Sequence, residues 1–136
     1  MPTEQFITWN DIEYLIENLS KKISKLPRSF SSITTVSRGG LVPSRLMADH
    51  LGIKKIFVDK KKISASSLFV DDIYDSGDTF KKIISNVDDP SKLVFVTLFA
   101  RRGKKYPKQL VYAKKTINDD YVVFPWDKLE FQTSKK

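Results

Sequence analysis

The apolar run Leu68-Phe69-Val70 and the segment it enters, Asp71-Asp72-Ile73-Tyr74-Asp75-Ser76-Gly77-Asp78-Thr79, restrict this chain more than any other stretch. Three successive apolar residues suit a strand buried on both faces, which occurs mainly in parallel sheets covered by helices. The flanking sequence agrees. Ile12, Leu15, Ile16, Leu19, Ile23 and Leu26 recur at helical spacing and predict an amphipathic helix over residues 9–25, with Thr8 as N-cap and Pro27 at its exit. The β-branched run Ile33 to Ser37 predicts a strand, Gly39-Gly40 a turn, and Pro43 the first turn of a helix that ends at Gly52. Ile56-Phe57-Val58 and Leu93 to Phe99 read as further strands, with Val111 to Ala113 and Tyr121 to Phe124 as shorter extended pieces. A helix is expected from about Thr79, with Phe80, Ile83, Ile84 and Val87 on one stripe. Strands alternating with helices define an α/β fold, a mostly parallel sheet flanked by helices, and such sheets bind ligands at the carboxyl ends of their strands.

That rule directs attention to the acidic segment. Asp71, Asp72, Asp75 and Asp78 place four carboxylates within eight residues. They repel one another unless cations or hydroxyls satisfy them. A solvated acidic turn is the alternative, but the apolar strand delivers Asp71 and Asp72 to the edge of the sheet where function concentrates. Ser76-Gly77-Asp78-Thr79 leads into a helix start, where free N–H groups and the helix dipole attract an anion. Gly77 allows close backbone approach, and the Ser76 and Thr79 hydroxyls can donate to phosphate oxygens. A capped helix start without a ligand is the plain alternative. The segment thus offers a polyol-and-metal site beside a phosphate cradle, which fits a sugar phosphate. Competing motifs fail on spacing. The chain has no Gly-x-x-x-x-Gly-Lys and no Gly-x-Gly-x-x-Gly, and Ile73 and Ser76 break the alternation of oxygen ligands that a calcium loop needs.

At 136 residues, 40% hydrophobic and 29% charged, the chain suits one domain with one core. No apolar run approaches the roughly 18 residues of a membrane span. Met1-Pro2-Thr3-Glu4 lacks the basic start and apolar stretch of a secretory signal. Without cysteine there is no disulfide framework, thiolate nucleophile or Cys-ligated zinc, and a cytoplasmic location is the expectation. His50, the only histidine, falls inside a helical pattern and is expected to be solvated. The net charge of +8 comes from clusters at Lys54-Lys55, Lys60 to Lys62, Arg101 to Lys108, Lys114-Lys115 and Lys135-Lys136. They are scattered, without the basic helix or aromatic-interleaved strands of a nucleic-acid binder. A phosphate-rich small substrate or solvated faces account for them equally well, so neither a nucleic acid nor a membrane partner is expected.

Val70 to Thr79 resembles the phosphoribosyl-pyrophosphate (PRPP) signature of type I phosphoribosyltransferases: an apolar strand, two acidic residues, then an Asp-Ser-Gly-x-Thr phosphate loop. Thr35-Val36-Ser37-Arg38-Gly39-Gly40-Leu41-Val42-Pro43 is similar to that family's pyrophosphate loop, and the helix through Leu51-Gly52 continues the match. Phe99-Ala100-Arg101 and Asp120 to Asp127 resemble base-binding parts of the xanthine-guanine branch, and Ile7-Thr8-Trp9-Asn10 resembles its start. The resemblance covers nearly the whole chain, in order.

It implies a single phosphoribosyltransferase domain over residues 1–136, with a small C-terminal base-binding hood. It also implies Mg²⁺-dependent transfer of the phosphoribosyl group from PRPP to an oxopurine (guanine, xanthine or hypoxanthine) by a homodimer or homotetramer. PRPP binding falls to Arg38, Gly39, Asp71, Asp72, Asp75, Ser76, Gly77, Asp78 and Thr79, with Asp72 at the metal. Asp75 matches the family's position facing the purine N7, as general base or proton acceptor; helix capping is its alternative role. Tyr121 matches an aromatic that stacks on the base, and Val122 a residue whose main chain meets the base edge. Arg101 takes the place of a lysine that faces the 6-oxo group in purine-using relatives. The peptide before the loop arginine is often cis in this family, so a cis Ser37–Arg38 bond is expected. One departure is large. Relatives carry a long flexible hood loop between the second strand and the acidic pair, for which Asp59 to Ser67 leaves no room, and Lys60, Lys61 and Lys62 are the candidate cations in its place. The short loop and Arg101 keep two other readings open: a non-catalytic PRPP or nucleotide sensor, and a phosphoribosyltransferase for a different base.

Overall fold

The structure, a computed structural model, describes residues 3–134, so Met1-Pro2 and Lys135-Lys136 lie outside the described residues. In chain order the elements are β1 (Glu4–Phe6), α1 (Trp9–Ser24), β2 (Ser32–Thr35), α2 (Leu41–Leu51), β3 (Ile56–Val58), β4 (Ser67–Tyr74), α3 (Asp78–Ile84), β5 (Val94–Ala100), β6 (Leu110–Lys115), β7 (Tyr121–Val123) and α4 (Lys128–Ser134). Thr8 caps α1 as its position predicts. Its hydroxyl accepts from Asp11 N at 3.1 Å and the Asp11 carboxylate accepts from Thr8 N at 2.9 Å, satisfying two N–H groups the helix cannot. Gly52 ends α2 in the left-handed region, at φ 70°, where a residue without Cβ is unstrained.

Five strands run parallel in the order β3-β2-β4-β5-β6. Side chains alternate across this sheet, so neighbours on β4 serve different cores. Leu68 and Val70 join Ile12, Ile16, Leu19 and Met47 beneath α1 and α2, whereas Phe69 joins Phe95, Ile83 and Val87 on the side of α3. Phe69 stacks on Phe95 with centroids 5.0 Å apart, and Phe80 meets Phe95 edge-on at 5.4 Å. Such aromatic pairs add about 0.5–1.5 kcal/mol each beyond their area. Buried hydroxyls fix the register of β2 on β4: Ser32 Oγ donates to Ser67 Oγ at 2.8 Å, and Thr34 Oγ1 lies 2.6 Å from the same atom.

Boundaries differ from the sequence reading at β2, β4 and α3, and two elements were missed. Strand β2 stops at Thr35 because the chain turns over residues 37–40. Strand β4 continues past its apolar run to Tyr74, paired with β5, so Asp71 and Asp72 lie within the strand's last turn of pairing rather than after it. Helix α3 ends at Ile84, and Val87 reaches the core from beyond it through a parallel bridge to Ile63. Strand β1 and helix α4 were not foreseen: β1 pairs in parallel with β7, more than a hundred residues away, and no local pattern reports such a partner. This small second sheet docks through aromatic rings, with Phe124 stacked on Trp126 at 4.9 Å and Trp126 against Trp9 at 5.8 Å. His50 is exposed, as expected. No helix among the described residues is long and apolar enough to cross a membrane.

Candidate active site

In the five-stranded sheet the chain leaves β2 toward β3 on one side and returns to β4 on the other, so the strand order reverses between β2 and β4. Connections then diverge above the carboxyl ends of these two strands and open a crevice. A cleft of about 340 Å³ lies there, lined by Val36, Ser37, Arg38, Gly39, Asp71, Asp72, Thr79, Tyr121 and Asp127. A second lobe of about 190 Å³, formed by Asp71 to Phe80 with Phe95, shares Asp71, Asp72 and Thr79 with the first. The fold therefore unites the two segments that sequence had paired only by resemblance.

Close approach of main chain to carboxylate shapes the first lobe. A Cβ on Gly39 would stand 2.6 Å from Asp72 Oδ2, so any larger residue here would displace the Asp72 carboxylate. The Ser37–Arg38 peptide is cis, as expected. Asp59 holds this loop from outside: its carboxylate accepts from Ser37 N at 2.9 Å and from Ser37 Oγ at 2.6 Å. Those two bonds, the hydroxyl's first, lower the Asp59 pKa below the usual carboxylate range. Asp59 has φ 54°, a left-handed conformation that aspartate tolerates. Nothing local marked it, because its partner lies 22 residues back.

Asp71 is 6% exposed, and burial, followed by the charge of Asp72, pushes its pKa well above the usual value. Each of the two aspartates also accepts from the next main-chain N–H, Asp72 N at 2.9 Å and Ile73 N at 2.8 Å. Gly77 starts α3 at φ 86°, and the Ser76 hydroxyl accepts from Asp78 N at 3.3 Å. Asp75, Ser76 and Asp78 are exposed, while Thr79 is half-buried between the lobes.

At the other end Tyr121 is exposed on the cleft and Asp127 is buried beside it. Asp127 begins α4, its main-chain oxygen accepting from Phe131 N at 2.9 Å and its carboxylate from Phe124 N at 3.2 Å. Sequence reasoning passed over it as a site residue, although an aspartate closing the run Phe124-Pro125-Trp126 just before a helix is a capping signal. Val122 buries its side chain; because Tyr121 and Val123 bond to β1, alternation turns the main-chain groups of Val122 to the opposite edge. Arg101 lines neither lobe and instead donates from Nε to Asp75 Oδ1 at 3.1 Å.

No protein-family profile matches the chain. Curated relatives do. A xanthine-guanine phosphoribosyltransferase of Vibrio vulnificus is 29% identical over 150 aligned positions, covering 93% of this chain and 91% of its own. One of Gluconobacter oxydans is 26% identical over 144, covering 89% and 83%. The chain is thus similar, over nearly its whole length, to xanthine-guanine phosphoribosyltransferases. A xanthine-guanine-hypoxanthine phosphoribosyltransferase of Helicobacter pylori has the same fold, with a TM-score of 0.79, 16% identity and 99% of both chains covered. Within this phosphoribosyltransferase fold, the connection from β3 to β4 is short and pinned. Asp59 N bonds Thr35 O at 2.9 Å, and Ile63 exchanges main-chain bonds with Asn86 and Asp88 at 3.0 Å each. Only Lys60, Lys61 and Lys62 stand between the anchors, all exposed, with Lys60 Nζ 5.2 Å above the Phe57 ring.

Proposed function

We propose that this protein transfers the phosphoribosyl group of PRPP to an oxopurine, in purine salvage, and that its two-lobed cleft is where this occurs. The observation that carries the reading is the meeting of the Ser37–Gly40 turn with the Asp71–Thr79 segment across one crevice. The turn Asp75 to Thr79 takes the 5′-phosphate, with Gly77 allowing main-chain N–H groups to approach it. Asp71 and Asp72 take the ribose hydroxyls, and Arg38 with the Gly39 amide takes the pyrophosphate. Tyr121 and the outward main chain of Val122 take the base, making the β7–α4 segment a small base-binding hood.

The bond from the ring nitrogen to C1′ forms as the bond from C1′ to the pyrophosphate oxygen breaks. Positive charge grows on the sugar and negative charge on the departing pyrophosphate, so pre-placed charges that match both lower the barrier. As that bond forms, the base gives up its N7 proton to the Asp75 carboxylate. A positioned group of this kind gives about 10²–10⁴ in rate. The donor set fits Mg²⁺, a hard ion that takes oxygen ligands: two adjacent carboxylates reach the crevice. Asp72 would hold it, and the ion would supply charge neutralisation of the pyrophosphate while keeping most ligands from substrate and water. We extend the reading to one phosphoribosyltransferase domain that self-associates as a homodimer or homotetramer in the cytoplasm.

Separate incubations with Mg²⁺, PRPP and guanine, xanthine, hypoxanthine, adenine or uracil test it. A nucleoside monophosphate from an oxopurine is the expected product. Product only from adenine or uracil replaces the acceptor, and no product with intact PRPP binding replaces the enzyme by a sensor.

A further inference from the structure

We infer that Arg101 is a positioning residue: one guanidinium clamps the proton-accepting Asp75 to the segment that delivers the base platform Tyr121. The inference rests on the phosphoribosyl-transfer reading and changes the part its arginine plays, from a donor to the base to the brace behind it.

Three acceptors converge on this side chain. Nε donates to Asp75 Oδ1 at 3.1 Å, and Nη1 donates to Asp120 O at 2.8 Å and to Asn118 O at 3.3 Å. The side chain is only 11% exposed although its carboxylate partner is 57% exposed, so the arginine is the buried member of the pair. Its root is fixed as well. Arg101 N donates to Tyr74 O at 2.7 Å, and Tyr106 Oη donates to Arg101 O at 2.7 Å. The next residue secures the far end of the same loop, with Arg102 Nε on Thr116 O and Arg102 N on Thr116 Oγ1, both at 3.0 Å. Residues 116–120 are thereby held from β5 by two successive arginines, and the chain leaves them directly into β7, where Tyr121 N donates to Thr3 O at 2.8 Å.

The acceptors engage two different nitrogens of a planar fork. An ammonium group concentrates its donors at one point and cannot span them. With Oδ1 of Asp75 engaged, its second oxygen is the one presented to the ring N–H. The same guanidinium fixes the loop that carries Tyr121. Acid–base group and base platform are thus set in one frame, and a misplacement near 1 Å between such groups costs about 10²-fold in rate.

The test uses the full chain with Arg101→Lys, Arg101→Gln, Asp75→Asn and the Asp75→Asn/Arg101→Gln double variant. Two quantities are read: kcat and KM for PRPP and oxopurine, and amide hydrogen exchange at Tyr121 without substrate. For a clamp, Arg101→Lys lowers kcat by about 10–10²-fold, with the KM for PRPP within about threefold of wild type. It also speeds Tyr121 exchange by about tenfold or more, and the double variant is no slower than Asp75→Asn alone. A wild-type kcat in Arg101→Lys with a change only in the base KM would make Arg101 a direct donor and overturn the clamp, as would unchanged Tyr121 exchange in both variants. Should Arg101→Gln fail to fold, Arg101→Lys decides alone. If the wild-type protein transfers to no base, the transfer reading fails by itself, and the exchange measurement still decides the clamp.

Discussion

The two ends of the cleft are built on different plans. The end we assign to the sugar phosphate comes from two short segments, Ser37–Gly40 and Asp71–Thr79, each at the end of one of two neighbouring strands. The end we assign to the base draws on the residue before β1, the end of β5, the loop at 118–120, β7 and the start of α4, joined by bonds from Arg101 to main chain 17 and 19 residues on and from Tyr121 back to Thr3. An anion is recognised by main-chain donors that one tight turn can present, so its site can be local. A flat base needs a face and an edge from separate elements, so its site depends on long-range bracing. The base end therefore depends on long-range braces such as Arg101, whereas the phosphate end, where Gly40 packs against Val70 O, has no slack for a larger side chain.

Function gives the largest separation between the ends. Asp75→Asn, which removes the proton acceptor and leaves the turn's shape, should lower kcat by about 10²–10⁴-fold, with PRPP affinity within about threefold of wild type by isothermal titration. A parallel fall in PRPP affinity would mean that the carboxylate serves the phosphate end instead. Packing comes next. A Cβ on Gly40 would lie 1.9 Å from Thr35 Oγ1 and 2.7 Å from Val70 O, and Thr35 Oγ1 already donates to that oxygen at 2.6 Å. Gly40→Ala should cost about 1–3 kcal/mol in urea unfolding, the range for overpacking a tight site. An unchanged midpoint would show slack where the comparison says there is none.

Asp71→Asn probes the cost of a local acidic site. The folded chain binds the Asp71 proton more tightly than the unfolded chain does, because burial and then Asp72 raise its pKa. Stability contributed through this group is therefore greatest at low pH and falls as pH rises from the usual carboxylate range through the raised value. The asparagine variant should have the higher urea midpoint at pH 7, a gap that closes as pH falls below about 4, while binding PRPP poorly. A lower midpoint at pH 7 would refute the burial argument.

Legibility in the sequence follows the same division. The apolar run of β4, the capped helix α1 and the glycine turns could be read because each obeys a rule within a few residues of itself. Asp71, Asp72 and Thr79 were singled out that way and Gly39 by resemblance, and the fold brings all four to one crevice. Strand β1 was not readable: Glu4-Gln5-Phe6 carries one apolar residue and gains its identity from β7. Nor were the partners of Arg101, since two of the guanidinium's three acceptors are main-chain carbonyls that no residue type announces. Asp59 escaped for a related reason. It stands one residue past a short strand and acts on a turn from a different part of the chain.

Asp59 also supplies the smallest and sharpest test. Its carboxylate takes both the N–H and the O–H of Ser37, and asparagine has a single oxygen for the two donors. Asp59→Asn should loosen the Ser37–Gly40 turn and raise the KM for PRPP by about three- to tenfold, roughly one lost charge-assisted bond at an exposed site. The KM for the base should not move, because Asp59 grips the turn at Ser37, from outside the cleft. The folded-state pKa of Asp59 is lowered, so the brace is fully present above the usual carboxylate range and is lost only as pH falls through that lower value. The variant's defect should accordingly be constant from neutral pH down to about pH 5. An equal rise in both KM values would show that the two ends of the cleft move together, and the division between a locally built phosphate end and a braced base end would have to be given up.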